Sequence, residues 1–481
     1  MKRKSLKLNA LLNSIRGILN ILFPIITFPY VSRVLSVSGI GIYNFSSSFV
    51  SYFLLIAALG VNSYAIREGS KIRDSTDEIS RFASEIYTIN MFSTVISYVL
   101  LFLCLFIFGQ QLRSYIICIL IFSLQIVFTT MGTEWIYQIY EDYIYITIRS
   151  IVFQIVSIIL LFIFVRNSHE YLNYAIITVF SVIGSNVLNF IHAREYCNIH
   201  LVWNFKWQKH LLPIFTLFFA SIANMVYLNS DVTLLGLMQN NYIVGIYSVS
   251  SKIYQIVKTL IISALIVTVP RLAMLFGKKR LKEYSSILSR LTNILVILTL
   301  PASVGLFMLA KEVILLISGA HFTRAIYSLR ILCFAYVFAL LAWILTDCIL
   351  IPAKREKFVL ISMSVSAILN ILLNILLIPI FAENAAAFST VIAEFSIFVI
   401  NLYYTRDIIR KVFTINDFLK NLFSSIAGCI GIIVICLICD FSYKSLLLKS
   451  VCSVFLSAII YFAILVLLRN NLIFSLIEKI R

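Results

Sequence analysis

The sequence predicts an all-α, polytopic membrane protein with about 14 transmembrane helices. Hydrophobic residues make up 61% of the 481 positions and charged residues only 12%. The mean hydropathy is +0.99, which is far from any soluble globular class. The segment at 41–47 (Gly-Ile-Tyr-Asn-Phe-Ser-Ser) returns at 245–251 (Gly-Ile-Tyr-Ser-Val-Ser-Ser). An internal repeat in a very apolar chain is typical of secondary transporters.

Each predicted helix is an apolar segment close to the roughly 20 residues that cross a hydrocarbon core. The first set lies near 9–31, 41–64, 82–108, 114–138, 146–165 and 171–193. The second set lies near 211–236, 244–269, 286–309, 326–350, 358–378 and 385–404. An extra pair follows near 421–439 and 446–468.

The repeat predicts two six-helix lobes, residues 1–205 and 206–414, followed by an additional helix pair in 415–481. Six spans per half is an even number, so both halves share one orientation. They are then related by a pseudo-twofold axis along the membrane normal. Thr133-Glu134 and Thr346-Asp347 form a second, weaker match at a similar spacing.

The net charge of +18 is explained by topology and does not indicate nucleic-acid binding. With a cytoplasmic N-terminus, 28 of the 39 Lys and Arg residues fall on the cytoplasmic side, 8 fall outside and three lie within spans. This asymmetry orients the chain with both termini in the cytoplasm. The longest polar connections, near 67–81 and 270–285, are also predicted to be cytoplasmic loops. No single basic domain of the kind that binds nucleic acid is seen.

Motifs for soluble chemistry are absent from the sequence. It has no phosphate-binding Gly-x-x-x-x-Gly-Lys loop and no His-Glu-x-x-His zinc helix. The five histidines lie in loops or near span ends, at no ligand spacing. Cys436 and Cys439 form a C-x-x-C in the middle of an apolar span, where thiols are expected to pack as small apolar groups. We therefore expect a protein that is not an enzyme and needs no cofactor or metal.

Polar side chains inside the spans are the candidate binding residues, because an ionised group at the bilayer centre costs roughly 2.5–3.5 kcal/mol unless it meets a partner or water. In the first and eighth predicted spans they recur at helical spacing, so each set shares one face. The candidate substrate-binding residues are Asn13, Arg16, Asn20, Asp231, Lys252, Gln255 and Lys258.

Structural explanations compete with the functional one at several of these positions. Asp231 and Lys252 could form only a buried ion pair between two helices. Arg16 could extend to the cytoplasmic face. Glu134 and Asp347, at matching places in the two halves, are better explained as gate or helix-end contacts than as substrate ligands.

Several segments, taken together, resemble the Wzx-type polysaccharide-transport flippases of the multidrug/oligosaccharidyl-lipid/polysaccharide superfamily. The resemblance is most specific over roughly 20–90 and 224–260. The matching segments are 23–35 (Phe-Pro-Ile-Ile-Thr-Phe-Pro-Tyr-Val-Ser-Arg-Val-Leu), 39–45 (Gly-Ile-Gly-Ile-Tyr-Asn-Phe), 58–61 (Ala-Leu-Gly-Val), 64–68 (Tyr-Ala-Ile-Arg-Glu), Asp231, Leu235, Gly236 and 244–247 (Val-Gly-Ile-Tyr).

The resemblance implies a flippase that moves polyprenyl-pyrophosphate-linked oligosaccharide repeat units across the bacterial cytoplasmic membrane. Such proteins serve O-antigen, capsule or exopolysaccharide assembly, by alternating access of two lobes around a central cavity. The implied partners are the lipid-linked oligosaccharide, membrane lipids and a polysaccharide polymerase with other assembly proteins, and no nucleic acid. We expect the cavity to be cationic, with Arg16 and Lys258 holding the pyrophosphate and Asp231 positioning Lys252, since Arg and Lys suit phosphate.

Two alternatives remain open at the level of sequence. A multidrug exporter of the same superfamily would usually have twelve spans and acidic residues deep in the first lobe, whereas the first span here has Arg16 and no carboxylate. A membrane polymerase would be expected to have a large basic outer loop, which this chain lacks. Asp231, Glu134 or Glu394 could bind a coupling ion or proton, and spacing does not choose among them. Glu394 has no obvious partner in the sequence.

Overall fold

The computed structural model describes residues 17, 22–412, 415–470 and 472–473. Among these residues, 13 helices are long and apolar enough to cross a membrane, and a shorter apolar helix, α1, covers Leu22–Val34. The chain is therefore a multi-pass membrane protein of the predicted all-α class. Each of the last thirteen predicted spans coincides with one of these helices. The first, at 9–31, lies partly outside the described residues, so the count of fourteen stays a prediction.

Contacts divide the chain into two compact units, Met1–Gly245 and Ile246–Arg481. The first unit contains α1 and the next eight helices. These are α2 (Val37–Ala58), α3 (Val61–Ile72), α4 (Thr76–Ile107), α5 (Ile116–Met131), α6 (Trp135–Ile139), α7 (Tyr143–Phe164), α8 (Tyr171–Ala193) and α9 (Trp207–Met238). Helix α2 packs against α4, α5 and α9, while α8 packs against α5 and α7.

Local sequence explains where these helices begin and end. The Ser36 hydroxyl accepts the N–H of Gly39 at 3.1 Å at the start of α2, and Ser75 caps α4 in the same way. Helix α2 ends where Leu59 and Gly60 take the left-handed conformation, with φ of 47° and 76°. The predicted loop at 67–81 is wrong in extent, because α3 continues to Ile72 and the cap restarts a helix at Thr76.

The two glycines of the predicted repeat both lie where helices approach closely within the first unit. A Cβ atom on Gly41 would overlap the carbonyl oxygen of Asn241, and one on Gly245 would overlap the carbonyl oxygen of Val37. The two contacts are reciprocal, because each carbonyl stands four residues before the other glycine. Both glycines therefore allow close backbone contact between α2 and residues 241–245.

The second unit contains most of α10 (Asn241–Leu265) and all of the helices that follow. These are α11 (Val269–Gly277), α12 (Leu281–Met308), α13 (Ala310–Ile317), α14 (Ala325–Trp343), α15 (Glu356–Phe381), α16 (Glu383–Val412), α17 (Ile415–Ser442) and α18 (Leu446–Leu467). Helix α16 packs against α14 and α15, and α12 packs against α14. The predicted loop at 270–285 is also largely helical, because α11 extends the chain beyond the span and α12 begins at Leu281.

The additional helix pair at the C-terminal end is joined to the second unit by polar contacts. Helices α17 and α18 pack against each other, and α17 packs along α12. The Tyr461 hydroxyl donates to the Ile297 carbonyl at 3.0 Å. Lys449 Nζ lies 2.5 Å from the buried Glu312 carboxylate and also pairs with Asp440. Arg355, in the loop before α15, donates to Asp407 on α16, and these bonds raise the pKa of the Arg355 guanidinium.

Candidate functional site

The polar face of α10 in the second unit contains three of the predicted binding residues, and Lys258 is the most constrained of them. Its Nζ donates to Glu394 Oε1 on α16 at 2.8 Å, and the Tyr254 hydroxyl donates to the same oxygen at 2.9 Å. The Lys258 ammonium also lies 3.3 Å from the Tyr254 hydroxyl. Glu394 is only 3% exposed. This carboxylate, which had no obvious partner in the sequence, is thus the counterion of Lys258.

Lys252 differs from Lys258 although both lie on α10. It is half-buried, and it forms no hydrogen bond or ion pair with another described residue of the second unit. Gln255, one turn further on, is exposed and donates to Ser251 Oγ at 3.5 Å. A half-buried ammonium without an acceptor is a favourable place for an anion, because burying an unpaired charge is costly.

The remaining predicted residues belong to the first unit. Asp231 is buried on α9, 9% exposed, and its predicted pairing with Lys252 of the second unit stays a prediction. Asn13, Arg16 and Asn20 lie outside the described residues, so their proposed role is neither supported nor contradicted by the structure.

A second ion pair, with a buried arginine and a half-buried glutamate, lies in the first unit near the interruption between α5 and α6. Thr133 takes a left-handed φ of 40° there, and the following Glu134 lies 3.6 Å from Arg149 on α7. The Arg149 side chain is 4% exposed and donates to the Ser185 carbonyl at 3.3 Å. Arg149 is not among the residues predicted from the sequence. Its signal is an arginine two turns inside an otherwise apolar helix.

Asp347 occupies the matching position in the second unit and also lies on irregular backbone. The segment Ile344–Leu350 is π-helical, and Asp347 is half-buried within it. Next to it, Asn401 Nδ2 donates to Thr346 Oγ1 at 2.9 Å. Isolated π-helical turns occur often at functional sites. Both acidic residues of the weaker sequence match therefore lie at interruptions of regular α-helix.

The described residues provide no cluster of three His, Cys, Asp or Glu side chains that could hold a metal ion. Cys436 and Cys439 are buried free thiols, and the Cys436 sulfur lies 3.8 Å from the Ser457 hydroxyl. The chemistry of the site is accordingly that of cations, carboxylates and hydroxyl groups inside apolar helices.

Comparison with known proteins relates the chain to a protein family. A family model described as "Polysaccharide biosynthesis protein" matches residues 6–276. A "Putative O-antigen transporter" of Shigella dysenteriae is 24% identical over 349 residues, which cover 70% of this chain and 84% of the relative. The protein of the same name from Escherichia coli (strain K12) is 27% identical over 154 residues, 31% of this chain and only 36% of the relative's length.

Solved structures show the same fold at low sequence identity. The "Lipid II flippase MurJ, inward closed conformation" has a TM-score of 0.76 at 17% identity and covers 97% of this chain and 99% of its own. An inward-facing multidrug resistance MATE family transporter of the MOP superfamily has a TM-score of 0.56 at 11% identity, with 82% of this chain and 98% of its own covered. Likeness at such identities establishes the fold.

Proposed function

The chain belongs to the polysaccharide biosynthesis protein family, and on that premise we propose that it is a transporter, not an enzyme, that flips lipid-linked oligosaccharides. The proposed cargo is a polyprenyl-pyrophosphate-linked repeat unit for O-antigen, capsule or exopolysaccharide. It would move from the inner to the outer leaflet of the bacterial cytoplasmic membrane, with both termini of the protein in the cytoplasm. The observation that most supports this function is the family match over more than half of the chain.

The chemistry of the cargo agrees with the polar groups of α10. A pyrophosphate and a glycan are both costly to place in hydrocarbon, whereas a polyprenyl tail is not. Lys252 offers a half-buried ammonium without an acceptor among the described residues of the second unit. Exposed Gln255 lies one turn away and can bond sugar hydroxyls. We propose Lys252 as the first cation that the pyrophosphate meets in the second unit.

Lys258 binds the pyrophosphate in this proposal only if Glu394 shares its ammonium group. Its ammonium is already neutralised by Glu394, so it binds the pyrophosphate only by sharing its charge between the two anions. Arg16 is proposed to hold the same group by two parallel hydrogen bonds. Alternating access of the two predicted six-helix lobes around a cationic cavity remains part of the proposal.

The test is a flipping assay with the full-length chain in liposomes. The probe is a fluorescent polyprenyl-pyrophosphate disaccharide, and a membrane-impermeant reductant reports which leaflet the label occupies. We expect the wild type to exchange the label between leaflets. Lys252→Ala should weaken binding of the probe more than tenfold, since a charge-assisted contact contributes roughly 1.5–3 kcal/mol. Lys357→Ala, which removes an exposed lysine at the start of α15, is the matched control.

Two results would contradict the proposal. If the wild type exchanges the label no faster than empty liposomes do, the chain does not flip this class of lipid. If it instead exports a cationic dye from liposomes and leaves the lipid in place, the multidrug exporter is the correct alternative.

A further inference from the structure

A buried histidine joins three helices of the first unit through both of its ring nitrogens. His210, in the first turn of α9, is 1% exposed. Its Nδ1 lies 2.9 Å from the Tyr64 hydroxyl on α3, and its Nε2 lies 2.9 Å from Glu85 Oε2 on α4. Tyr64 is 4% exposed and the Glu85 side chain 17%. A titratable ring with two titratable partners is thus enclosed between three helices.

The surroundings of the imidazole are mainly aromatic. The rings of Tyr64, Phe82 and Phe205 lie 5.8, 5.9 and 6.2 Å from it, centroid to centroid. Each element around the ring also contributes titratable or charged groups, which are Tyr64, Arg67 and Glu68 on α3, Glu85 on α4, His200 and Lys206 on the segment before α9, and Lys209 on α9. Glu85 is the carboxylate in direct contact with the ring.

The segment that leads into α9 is bonded along α4 up to this cluster. Three alternate backbone N–H groups donate to side-chain hydroxyls spaced four residues apart on α4, so they follow one face of that helix. The bonds are Asn198 N–H to Ser80 Oγ at 3.2 Å, His200 N–H to Ser84 Oγ at 3.3 Å and Val202 N–H to Thr88 Oγ1 at 3.0 Å. His210 adds a side-chain contact with Glu85 on the same helix from the first turn of α9.

The geometry accepts the histidine in either charge state. In the neutral form, the Tyr64 hydroxyl donates to Nδ1 and the Nε2 hydrogen is donated to Glu85. In the protonated form, Nδ1–H donates to the tyrosine oxygen, which needs only a rotation of the hydroxyl hydrogen, and Glu85 pairs with the imidazolium. Movement of the start of α9 away from α3 and α4 would remove both partners at once.

We propose that Tyr64, His210 and Glu85 form a proton-binding site whose occupancy is linked to movement of the start of α9. A proton bound more tightly in one conformation than in another must in turn favour that conformation. This inference rests on the proposed transport function, because it makes the site the place where a proton influences flipping. Proton binding at these three residues can also be tested by itself, without cargo.

The first test measures the thermal unfolding midpoint of the purified, detergent-solubilised full-length protein by tryptophan fluorescence from roughly pH 5.5 to 8.5, where imidazole titrates. We expect a pH-dependent component in the wild type that is lost in His210→Gln. The matched control is His169→Gln, which removes an exposed histidine and should keep the wild-type profile. Glu85→Gln should move the midpoint of the pH dependence to lower pH, because a carboxylate favours the imidazolium.

The second test repeats the liposome assay with the fluorescent polyprenyl-pyrophosphate disaccharide at the same pH values. We expect the wild-type rate to change with pH by up to about tenfold per unit, the limit for one titrating group, and the rate of His210→Gln to change little. An unchanged unfolding profile in both His210→Gln and Glu85→Gln would overturn the proton site. A His210-dependent unfolding profile combined with a pH-independent flipping rate would keep the site and overturn its link to transport. If no variant flips the probe, the proposed function fails while the first test still decides the site.

Discussion

Removing Lys258 tests two properties that the sequence alone cannot separate, namely cargo binding and the stability of the second unit. In Lys258→Met the Glu394 carboxylate stays buried, with its side chain 4% exposed, and only the Tyr254 hydroxyl still bonds to it. A buried ion pair that loses one partner typically costs about 3–5 kcal/mol of unfolding free energy. We therefore expect a clear loss of stability in the single variant, so a test of cargo binding at Lys258 needs a compensating second substitution.

That change is the double variant Lys258→Met with Glu394→Gln. It removes both charges while keeping similar volumes, and replacing a buried pair with neutral groups is often nearly neutral in stability. A double-mutant cycle should give a coupling of about 2 kcal/mol between the two positions. Denaturant unfolding of the purified protein measures this coupling.

Transport by the stabilised double variant then isolates cargo binding. If the Lys258 ammonium contacts the pyrophosphate, the loss of a contact of roughly 1.5–3 kcal/mol lowers probe affinity more than tenfold. Glu394→Gln alone leaves the ammonium in place and should retain affinity. Wild-type flipping by the double variant, together with its expected stability, would refute cargo binding by Lys258 and leave the residue a purely structural role.

Three further predictions concern other parts of the chain. Gly41→Ala should lower the thermal unfolding midpoint, because the new Cβ would overlap a carbonyl oxygen. Gly305→Ala, a control with open space around it, should not. Equal effects would contradict the close helix contact at Gly41. Impermeant labelling of single cysteines at 278–280 or 354–355 should fail from outside the cell, and labelling there would reverse the proposed topology. Arg16→Ala should abolish surface polysaccharide while the protein remains at its normal level in the membrane. Arg16→Lys should keep part of the polysaccharide, since the charge survives without the paired hydrogen bonds. Full polysaccharide in Arg16→Ala would exclude pyrophosphate binding by Arg16.

The helices of this protein could be predicted from its sequence because each one is an apolar run of membrane-spanning length. The same reasoning predicts α17 and α18. The family assignment, which rests on short segments near α2 and α10, is confirmed by the family match. Polar composition predicts loops at 67–81 and 270–285, but most of both segments is helical. Polar residues are also compatible with helix, as in α3 and α11.

The candidate site was harder to predict, for a reason that concerns sequence distance. Helical spacing shows which side chains share a face, but not which helix that face meets. Glu394 is 136 residues from Lys258, and His210 is 146 residues from Tyr64, so neither pair leaves a local signal. Arg149 and Glu134 are close in sequence, yet a helix break separates them and no fixed periodicity relates them.

The ion pair between Lys258 and Glu394 changes how much each lysine on α10 can attract an anion. Counted from the sequence, Lys252 and Lys258 contribute equally to a cationic face. In the structure, Glu394 neutralises Lys258, while Lys252 has no counterion among the described residues of the second unit. Coulomb attraction for an incoming anion depends on the net local charge and not on the number of basic residues. The anion affinity of the second unit should therefore be dominated by Lys252, with Lys258 contributing in proportion to how far Glu394 releases it.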